Sequence, residues 1–406
     1  MLDTAFVRAQ FPAFADPALD GWGFFENAGG SYPCRQVVDR LTRFYTHRKV
    51  QPYAPYPVSQ LAGAEMDEAR ARLAAMMGVA GDEVHFGPST SANTYTLAQA
   101  VRGWLKPGEA IVVTDQDHEA NSGVWRRLAD AGVAVREWRI DPATGHLDRA
   151  RLADLLADGA VRLVAFPHCS NVVAEINDVA AICAMARAAG AVTCVDGVSY
   201  APHGLPDIPA LGADIYLFSA YKTYGPHQGI MVVRRGLAEA LPNQGHFFNA
   251  GNPVKRLTPA GPDHAQIAAC AGIADYIDAL AAHHGVTGDA RARNAGVHAL
   301  MRAAETAVAA PLLAYVAGRN DVRLIGPADP VTRAPTVALD LGRPAEPVAA
   351  ALAAHRVMAG GGHFYAVRPL AAMGVDTGKG VLRLSFVHYT TPAEVDRLIA
   401  ALDAVI

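Results

Sequence analysis

Residues 214–229 read DIYLFSAYKTYGPHQG, an apolar run that passes directly into a lysine. The run from 215 to 218 predicts a buried strand, and Gly225 with Pro226 predicts a tight turn just after Lys222. A lysine held between apolar walls has a lowered pKa, so its free amine can attack a carbonyl and hold it as a Schiff base. A surface loop lysine is the alternative. The other lysines stand in polar, proline-flanked or glycine-flanked settings typical of surface: Lys49, Lys106, Lys255 and Lys379.

The composition narrows the class of protein. A chain of 406 residues with 51% hydrophobic and 18% charged residues is long enough for two domains. The net charge of −4 without a basic block gives no reason to expect a nucleic-acid partner. The N-terminus lacks a signal-peptide pattern, and no apolar run is expected to reach the roughly 18–20 residues of a membrane span. We therefore expect a cytoplasmic protein without a membrane partner.

The cysteines show no paired spacing. This pattern predicts reduced thiols packed as small apolar residues, and it favours neither disulfides nor a zinc site. The five residues are Cys34, Cys169, Cys183, Cys194 and Cys270.

Strands and helices alternate through the first two thirds of the chain. The predicted strands are residues 84–86, 110–114, 133–138, 161–166, 192–195, 215–218 and 230–233. The predicted helices between them include residues 90–104, 119–130, 147–156 and 179–189. Such alternation predicts an α/β domain, residues 21–280, with a mostly parallel seven-stranded sheet covered on both faces.

The remaining third predicts a smaller α+β domain. A long alanine-rich helical region covers residues 265–308. Strands follow at residues 322–325, 336–341 and 381–386, with helices at 347–354 and 392–405. We assign residues 1–20 and 281–406 to this second domain.

Polar residues follow several of the predicted strands, where ligands bind in open α/β sheets. Thr90 and Ser91 open a helix after the first strand, and their hydroxyls with the helix N-terminus suit a phosphate, although an ordinary helix cap is the alternative. His118 can stack on a flat heterocycle or move a proton. It can also be a capping residue, or a metal ligand with Asp115 and Asp117.

Later strand ends add complementary groups. Asn171 can donate an amide hydrogen bond to a phenolate oxygen, and Ser219 can reach the same phosphate as Thr90. Asp196 ends a nearly apolar strand, and a buried carboxylate needs a cation such as a protonated pyridine nitrogen. Arg383 lies among alternating apolar residues and suits a substrate carboxylate, with a structural salt bridge as the alternative. Together with Lys222, these residues indicate pyridoxal phosphate as the cofactor.

The motifs FENAGGS, GPSTSAN, DHEAN, HCSNVVAEIN, VDGVSYAPH, SAYKTYGPHQG and RLSFVHYTTPAEVDRL span nearly the whole chain. In these residues the sequence resembles the class V aminotransferases of pyridoxal phosphate fold type I, nearest to the cysteine desulfurase and selenocysteine lyase group. The resemblance implies that fold, a small amino-acid substrate, and a homodimer with the active site at its interface. It implies a Schiff base at Lys222, a ring-nitrogen partner in Asp196 and a ring-stacking His118.

The resemblance also implies roles for the other matching positions. Asn171 faces the phenolate oxygen and Arg383 binds the substrate carboxylate. The positions matching Thr90, Ser91 and Ser219 hold the phosphate, those matching Ala28 and Gly29 approach the substrate, and Ser199 stands where desulfurases have a glutamine on the ring face.

Departures from the family pattern limit the expected activity. Cysteine desulfurases carry a mobile cysteine upstream of the arginine, but here residues 359–370 read AGGGHFYAVRPL and no cysteine follows Cys270. Tyr221 replaces the usual histidine before the lysine. In the family, a Gly-Thr pair at this place binds the phosphate in the neighbouring subunit, whereas residues 260–262 here read Ala-Gly-Pro. Pro262 lacks both the N–H and the hydroxyl that such a contact would use. Candidates to shape the substrate pocket are His363, Tyr365, Tyr53 and Tyr56, with packing or a loop-surface role as the alternative for each.

We therefore expect a carbon-sulfur or carbon-selenium lyase, or an aminotransferase, that acts without a persulfide-forming loop cysteine. A genuine cysteine desulfurase and an amino-acid epimerase are alternatives within the same fold. A metal-dependent hydrolase and a non-catalytic binding protein with a degenerate site are alternatives from other classes.

Overall fold

The computed structural model describes all 406 residues. The α-helices are α1 (Thr4–Ala9), α2 (Arg35–His47), α3 (Pro57–Met77), α4 (Thr90–Trp104), α5 (Gly123–Arg126), α6 (Arg149–Leu156), α7 (Val179–Ala188), α8 (Ile208–Leu211), α9 (Arg235–Ala240), α10 (His264–Ala269), α11 (Ala271–His283), α12 (Ala290–Ala317), α13 (Ala345–Ala354), α14 (Val367–Ala372) and α15 (Pro392–Val405). The β-strands are β1 (Gly23–Phe24), β2 (Val84–Gly87), β3 (Ala110–Thr114), β4 (Ala134–Trp138), β5 (Val161–Pro167), β6 (Val192–Asp196), β7 (Ile215–Ser219), β8 (Gly229–Val233), β9 (Arg323–Ile325), β10 (Thr336–Asp340), β11 (Val357–Met358), β12 (Gly360–Gly362) and β13 (Val381–Ser385).

The seven predicted strands form one sheet in the order β2-β8-β7-β6-β5-β3-β4. Only β8 runs antiparallel to its neighbours β2 and β7. The prediction of an α/β fold of type I with a mostly parallel seven-stranded sheet is thus confirmed. The carboxyl ends of the parallel strands meet at one edge of the sheet, where ligands bind in folds of this class.

The central strands are apolar on both faces. Every residue of β3, β7 and β8 is buried, as expected where helices cover both sides of a sheet. In β7, Tyr216 and Phe218 belong to a cluster of 66 buried apolar residues, whereas Ile215 and Leu217 belong to a separate cluster of 20. Both clusters hold β7 in place and fix the direction in which the chain leaves it at Ser219.

The second sheet is antiparallel, four-stranded and ordered β12-β13-β10-β9. Its apolar residues pack with α12, α13 and α15 in a third cluster. Helix α12 joins the two parts of the core, because Val297 and Met301 pack in the largest cluster while Leu312 packs in the third. Val7 and Phe11, near the N-terminus, also pack in the largest cluster. The division after residues 20 and 280 stays a prediction.

Strands β11 and β12 have no counterpart among the predicted strands. A run of three glycines carries no apolar alternation, yet Gly360 to Gly362 pair with β13 through their backbone. A Cβ at Gly361 would lie 2.5 Å from the backbone of Ala345. The glycines therefore allow α13 to approach the strand closely.

The helix predicted at residues 119–130 is interrupted. It consists of two short 3-10 turns, Glu119–Asn121 and Arg127–Ala131, flanking α5. Ser122 leaves helical geometry (φ −120°, ψ −59°), and its hydroxyl donates to the Thr114 carbonyl at the end of β3. This local hydrogen bond competes with the helical pattern.

Two helical stretches contradict the expectation that no segment has the length and apolarity of a membrane span. His264–His283 and Ala290–Ala317 meet that criterion because their alanine content raises the average over an 18-residue window. Within those windows, 72% and 39% of the residues are buried in the protein. The first stretch packs against α2 and α3, and a core helix passes the same test.

Candidate active site

Two adjoining cavities open at the carboxyl ends of the parallel strands. The inner cavity has a volume of about 70 Å³ and the outer cavity about 630 Å³. Six residues line both: Ser91, His118, Ala120, Asn171, Tyr221 and Lys222. All eleven predicted site residues line one or both cavities, and four of them are among the six shared residues. Four more line only the inner cavity, namely Thr90, Asp196, Ser199 and Ser219. The remaining three line only the outer cavity, namely Ala28, Gly29 and Arg383. Their individual roles stay predictions.

Lys222 enters the site directly from the end of β7, on the 3-10 turn Ala220–Lys222. The Ser31 hydroxyl donates to the Lys222 carbonyl at 2.8 Å, which fixes the backbone of this turn. Burial is the main reason that the pKa of Lys222 falls to about 8, and the positive charge of Arg383 adds to the effect. The other four lysines are exposed. Lys222 therefore carries a neutral amine at a far lower pH than an ordinary lysine.

The hydroxyls of Thr90 and Ser219 lie 2.8 Å apart at the N-terminus of α4. Ser89 caps this helix by accepting from the Ala92 N–H at 3.1 Å, which leaves the hydroxyls of the first turn free to face the inner cavity. A Cβ at Gly229 would lie 2.3 Å from the backbone of Ser89. Only glycine lets β8 pass so close to the start of the helix, so the position of this hydroxyl cluster depends on it.

Asp196 ends β6 and lines the inner cavity. One oxygen accepts from the Val198 N–H at 2.8 Å. Burial raises the pKa of Asp196 to about 6, against the opposing effects of that hydrogen bond and of Lys222. Asp117 is also buried, and burial with the charge of Asp196 raises its pKa well above the usual range. A cation beside Asp196 would relieve the cost of both buried carboxyls.

His118 lies between the two cavities with a fixed ring orientation. Its Nδ1 accepts from the Ala120 N–H at 3.1 Å, so in the neutral ring Nε2 carries the proton. Burial, followed by the charges of Lys222 and Arg383, lowers the pKa of His118 to about 3. The ring is therefore neutral and apolar-faced at physiological pH, which suits stacking on a flat heterocycle. The capping alternative holds as well, because the same nitrogen caps the short turn Glu119–Asn121.

Asn171 lies in the loop that follows β5 and lines both cavities. Its amide nitrogen donates to the Phe364 carbonyl at 2.9 Å, whereas its Oδ1 is buried without a partner. An amide nitrogen carries two hydrogens, so one remains for a ligand oxygen.

Arg383 on β13 is only 3% exposed and donates from Nη2 to Glu26 Oε1 at 2.5 Å. The Phe364 ring centroid lies 3.8 Å from its guanidinium carbon. The salt-bridge alternative for Arg383 is therefore present in the structure, alongside its position in the wall of the outer cavity.

Sequence reasoning missed several side chains of the outer cavity, namely Glu26, Tyr95, Glu119, Arg127 and Phe364. Glu26 lies inside the FENAGGS motif, so the motif pointed to the segment without singling out the charged residue. Of the four pocket-shaping candidates, only Tyr365 lines either of the two cavities described above. Tyr53 donates to Asp67 at 2.9 Å and is exposed, as is Tyr56, while His363 Nδ1 accepts from the Tyr365 N–H.

Asp115, Asp117 and His118 do not converge on a common point. Asp115 accepts from the Ile140 N–H at 2.8 Å, and Asp117 accepts from the Asn121 amide at 3.2 Å. The structure contains no group of three or more His, Cys, Asp or Glu side chains placed to hold a metal ion. The arrangement proposed for a metal-dependent hydrolase is therefore absent.

The groups around the inner cavity fit pyridoxal phosphate. A desolvated lysine amine, a buried carboxylate without a cation and a hydroxyl cluster at a helix N-terminus match the aldehyde, the ring nitrogen and the phosphate. The second amide hydrogen of Asn171 is free for an acceptor such as the phenolate oxygen.

Comparisons with known proteins identify the family. Residues 23–398 match the family "Aminotransferase class-V". The chain is 33% identical to an aminotransferase-like protein, FGM3, of Gibberella zeae, and the match covers 98% of both chains. It is 30% identical to a cysteine desulfurase of Serratia proteamaculans, over 98% of this chain and 97% of the relative. A solved apo structure of a cysteine desulfurase from Thermococcus onnurineus shares the fold with a TM-score of 0.85 at 22% identity, covering 100% of this chain and 98% of that one. The chain therefore belongs to the class V aminotransferase family, in its cysteine desulfurase-like branch, and is a pyridoxal phosphate-dependent enzyme.

Proposed function

We propose that this enzyme acts on a small amino acid as a carbon-sulfur or carbon-selenium lyase or as an aminotransferase, without taking sulfur onto a cysteine of its own. The observation that carries the proposal is the composition of the segment over the outer cavity. Phe364 and Tyr365 line that cavity, and residues 271–406 contain no cysteine. A desulfurase of the loop-cysteine type would need a thiol at this place.

The existing thiols offer no substitute. All five cysteines are buried. Cys169 lines the inner cavity, but its thiol donates to the carbonyls of Ser170 and Ala174. Burial raises the pKa of Cys169 to about 12, so the thiolate needed for attack on sulfur is scarce at neutral pH.

The proposed chemistry divides among the side chains already described. When bound, the cofactor withdraws electrons from the substrate's α-carbon and so acidifies the α-proton. Lys222 lines both cavities and, with a pKa of about 8, can accept and return that proton near neutral pH. Asp196 would keep the ring nitrogen protonated, His118 would cover the ring face, and Arg383 would bind the substrate carboxylate.

Cysteine desulfurase activity is the second candidate, because a relative of that name is 30% identical over nearly the whole chain. It would require an acceptor thiol from outside this chain. The FGM3 relative, described as aminotransferase-like, supports the first candidate to a similar degree.

We also propose a cytoplasmic homodimer. Large apolar side chains that remain exposed in the single chain, including Tyr45, Leu61, Phe247 and Phe248, support a partner surface. Residues 260–262 are exposed and line neither cavity of their own chain, as expected for a segment directed at a neighbouring subunit. Unpaired cysteines support a reducing compartment.

The test begins with the visible spectrum of the purified protein, which should show a bound-cofactor band that borohydride removes. The protein is then incubated separately with cysteine, cysteine sulfinate, selenocysteine, alanine and serine. Release of sulfide, selenide or sulfite would identify a lyase, and amino transfer to an added keto acid would identify an aminotransferase. Sulfur retained on a cysteine of the enzyme, detected by alkylation and mass spectrometry, would contradict the proposal.

A further inference from the structure

Glu26 occupies a fixed place beside Arg383 that the proposed chemistry does not use. The chain leaves β1 and pairs with β13 at Ser385 through an isolated bridge from Glu26. The following residue, Asn27, donates from its backbone and its side chain to the Ser385 carbonyl. These contacts hold the Glu26 backbone two residues along β13 from Arg383, so that the two side chains meet in the wall of the outer cavity.

The ion pair leaves polar atoms on both partners unused. Arg383 Nη2 donates to Glu26 Oε1, and the Phe364 ring covers the guanidinium. Arg383 Nε and Glu26 Oε2 are both buried and have no hydrogen-bond partner. Buried polar atoms are nearly always paired, so these two atoms are free to pair with a ligand that enters the outer cavity.

The space around the Glu26 carboxylate is built into the chain. A Cβ at Gly29 would lie 2.9 Å from Oε1, and a Cβ at Gly360 would lie 2.6 Å from Oε2. Neither glycine has a positive φ. Any side chain at Gly29 or Gly360 would therefore clash with the Glu26 carboxylate.

The pairing changes what Arg383 attracts. An isolated guanidinium would receive any carboxylate, whereas an Arg383–Glu26 pair is neutral as a unit and still has free N–H donors on Arg383 and a free acceptor in Glu26 Oε2. A substrate carboxylate can bind the free donors. Once that carboxylate has bound, the group formed by Arg383, Glu26 and the carboxylate carries a net negative charge, so a second anionic group close to Oε2 would be repelled in this partly buried site.

The other charged groups of the outer cavity do not cancel this effect. Arg127 is exposed at the rim over the Tyr95 ring, and Arg368 pairs with Glu119 at 3.4 Å. Lys222 is the one further cation among the lining residues, and it is assigned to the cofactor. Glu26 is therefore the charge that a substrate side chain meets next to Arg383.

We propose that Glu26 is a specificity-determining residue, which selects amino acids with neutral or hydrogen-bond-donating side chains and rejects those with a carboxylate or sulfinate side chain. This inference rests on the proposed function of the site, because it concerns the side chain of the amino acid whose carboxylate Arg383 receives. Among the compounds of the release assay, cysteine sulfinate is then expected to be a poorer substrate than cysteine.

The test uses two non-reacting ligands that differ by one charge, succinate and succinamate. Their dissociation constants are measured by calorimetry on the cofactor-loaded enzyme at low ionic strength. Wild type should bind succinamate at least about 10-fold more tightly than succinate. In Glu26→Gln, which has nearly the same shape, this ratio should fall to about one. In the control Glu119→Gln, which removes an exposed carboxylate of the same cavity, the ratio should stay within about twofold of wild type.

A second variant provides an independent test in case Glu26→Gln does not fold. Gly360→Ala keeps the charge but forces the carboxylate to move, so the ratio should also fall. An unchanged ratio in a correctly folded variant, a wild-type preference for succinate, or a failure of both ligands to bind would overturn the inference. A protein that takes up no cofactor would instead overturn the proposed function, so the two failures are distinguishable.

Discussion

The inner and outer cavities differ in how their charged groups are compensated. Around the inner cavity, Lys222, Asp196 and His118 are buried without an ionic partner, and burial is the largest cause of the pKa shift of each toward its neutral form. In the wall of the outer cavity, Arg383 is paired with Glu26, and Glu119 with Arg368.

This difference separates chemistry from recognition. Unpaired buried groups are costly for a folded chain and persist where a ligand completes them. Paired groups are stable without a ligand, and a substrate must fit around them. The inner cavity therefore indicates which cofactor binds, and the outer cavity indicates which substrates are accepted.

Replacing Lys222 should have the largest effect. Lys222→Ala removes the amine that the site desolvates, so the visible cofactor band that borohydride bleaches should disappear and turnover should fall by about 10³-fold or more. The exposed Lys379→Ala should leave both unchanged. A borohydride-sensitive band in Lys222→Ala would show that another amine holds the cofactor.

Asp196→Asn should have opposite effects on the two forms of the protein. The raised pKa, about 6 against an ordinary 3.8, means that the ionised carboxylate destabilises the apoprotein by about 3 kcal/mol at neutral pH. The amide keeps the hydrogen bond from Val198 without the charge, so the apoprotein should become more stable. Cofactor affinity should fall if Asp196 pairs with the ring nitrogen as proposed, because the amide carries no negative charge. Thermal unfolding with and without cofactor measures both effects.

The stability difference between the wild-type and Asp196→Asn apoproteins should depend on pH, because the pKa of Asp196 is raised in the folded state. Between about pH 4 and 6 the folded Asp196 binds more protons than the unfolded one, so the wild-type apoprotein loses stability relative to Asp196→Asn as the pH rises through this window. Above about pH 7 the difference should level off. A difference that is constant from pH 4 to 8 would show that Asp196 is not desolvated in the apoprotein.

The inner cavity could be located from sequence because its residues follow strands. Apolar runs in the sequence identify the seven strands, and parallel strands bring their carboxyl ends to one edge of the sheet. The residues at these ends can therefore be predicted to lie close together: Thr90, Asn171, Asp196 and Ser219. What sequence could not supply was the degree of burial, which depends on the helices and loops that close over these residues.

The outer cavity could not be assembled in this way. Glu26 and Arg383 are separated by 357 positions, and their contact depends on the pairing of a short N-terminal segment with β13. Phe364 follows β12, a strand of three glycines that no apolar pattern signals. The break at Ser122 likewise arises from a hydrogen bond to Thr114 at the end of β3.

Arg383→Ala should have the next largest effect, on substrate binding. Loss of a charged hydrogen bond to the substrate carboxylate should raise KM by about 10- to 100-fold, with a much smaller change in cofactor affinity. Arg368→Ala, which removes an exposed arginine paired with Glu119, should change KM by less than about threefold. Steady-state kinetics and a cofactor titration compare the two. An unchanged KM in Arg383→Ala would mean that the Glu26 pair is purely structural.

Phe364→Leu should have the smallest effect and bears on whether the ring assists recognition. The ring centroid lies 3.8 Å from the guanidinium carbon of the buried Arg383, and cation–π contacts contribute from about 0.5 kcal/mol at exposed sites to about 2 kcal/mol at desolvated ones. Leucine keeps the apolar packing and the carbonyl that Asn171 binds, so KM should rise about two- to fivefold while the cofactor spectrum stays unchanged. Tyr365→Leu, whose ring lies 5.5 Å from that of His118, should alter the spectrum more than KM. A KM increase above about 50-fold in Phe364→Leu would exceed any cation–π contribution and would show that the ring anchors the segment that closes the outer cavity.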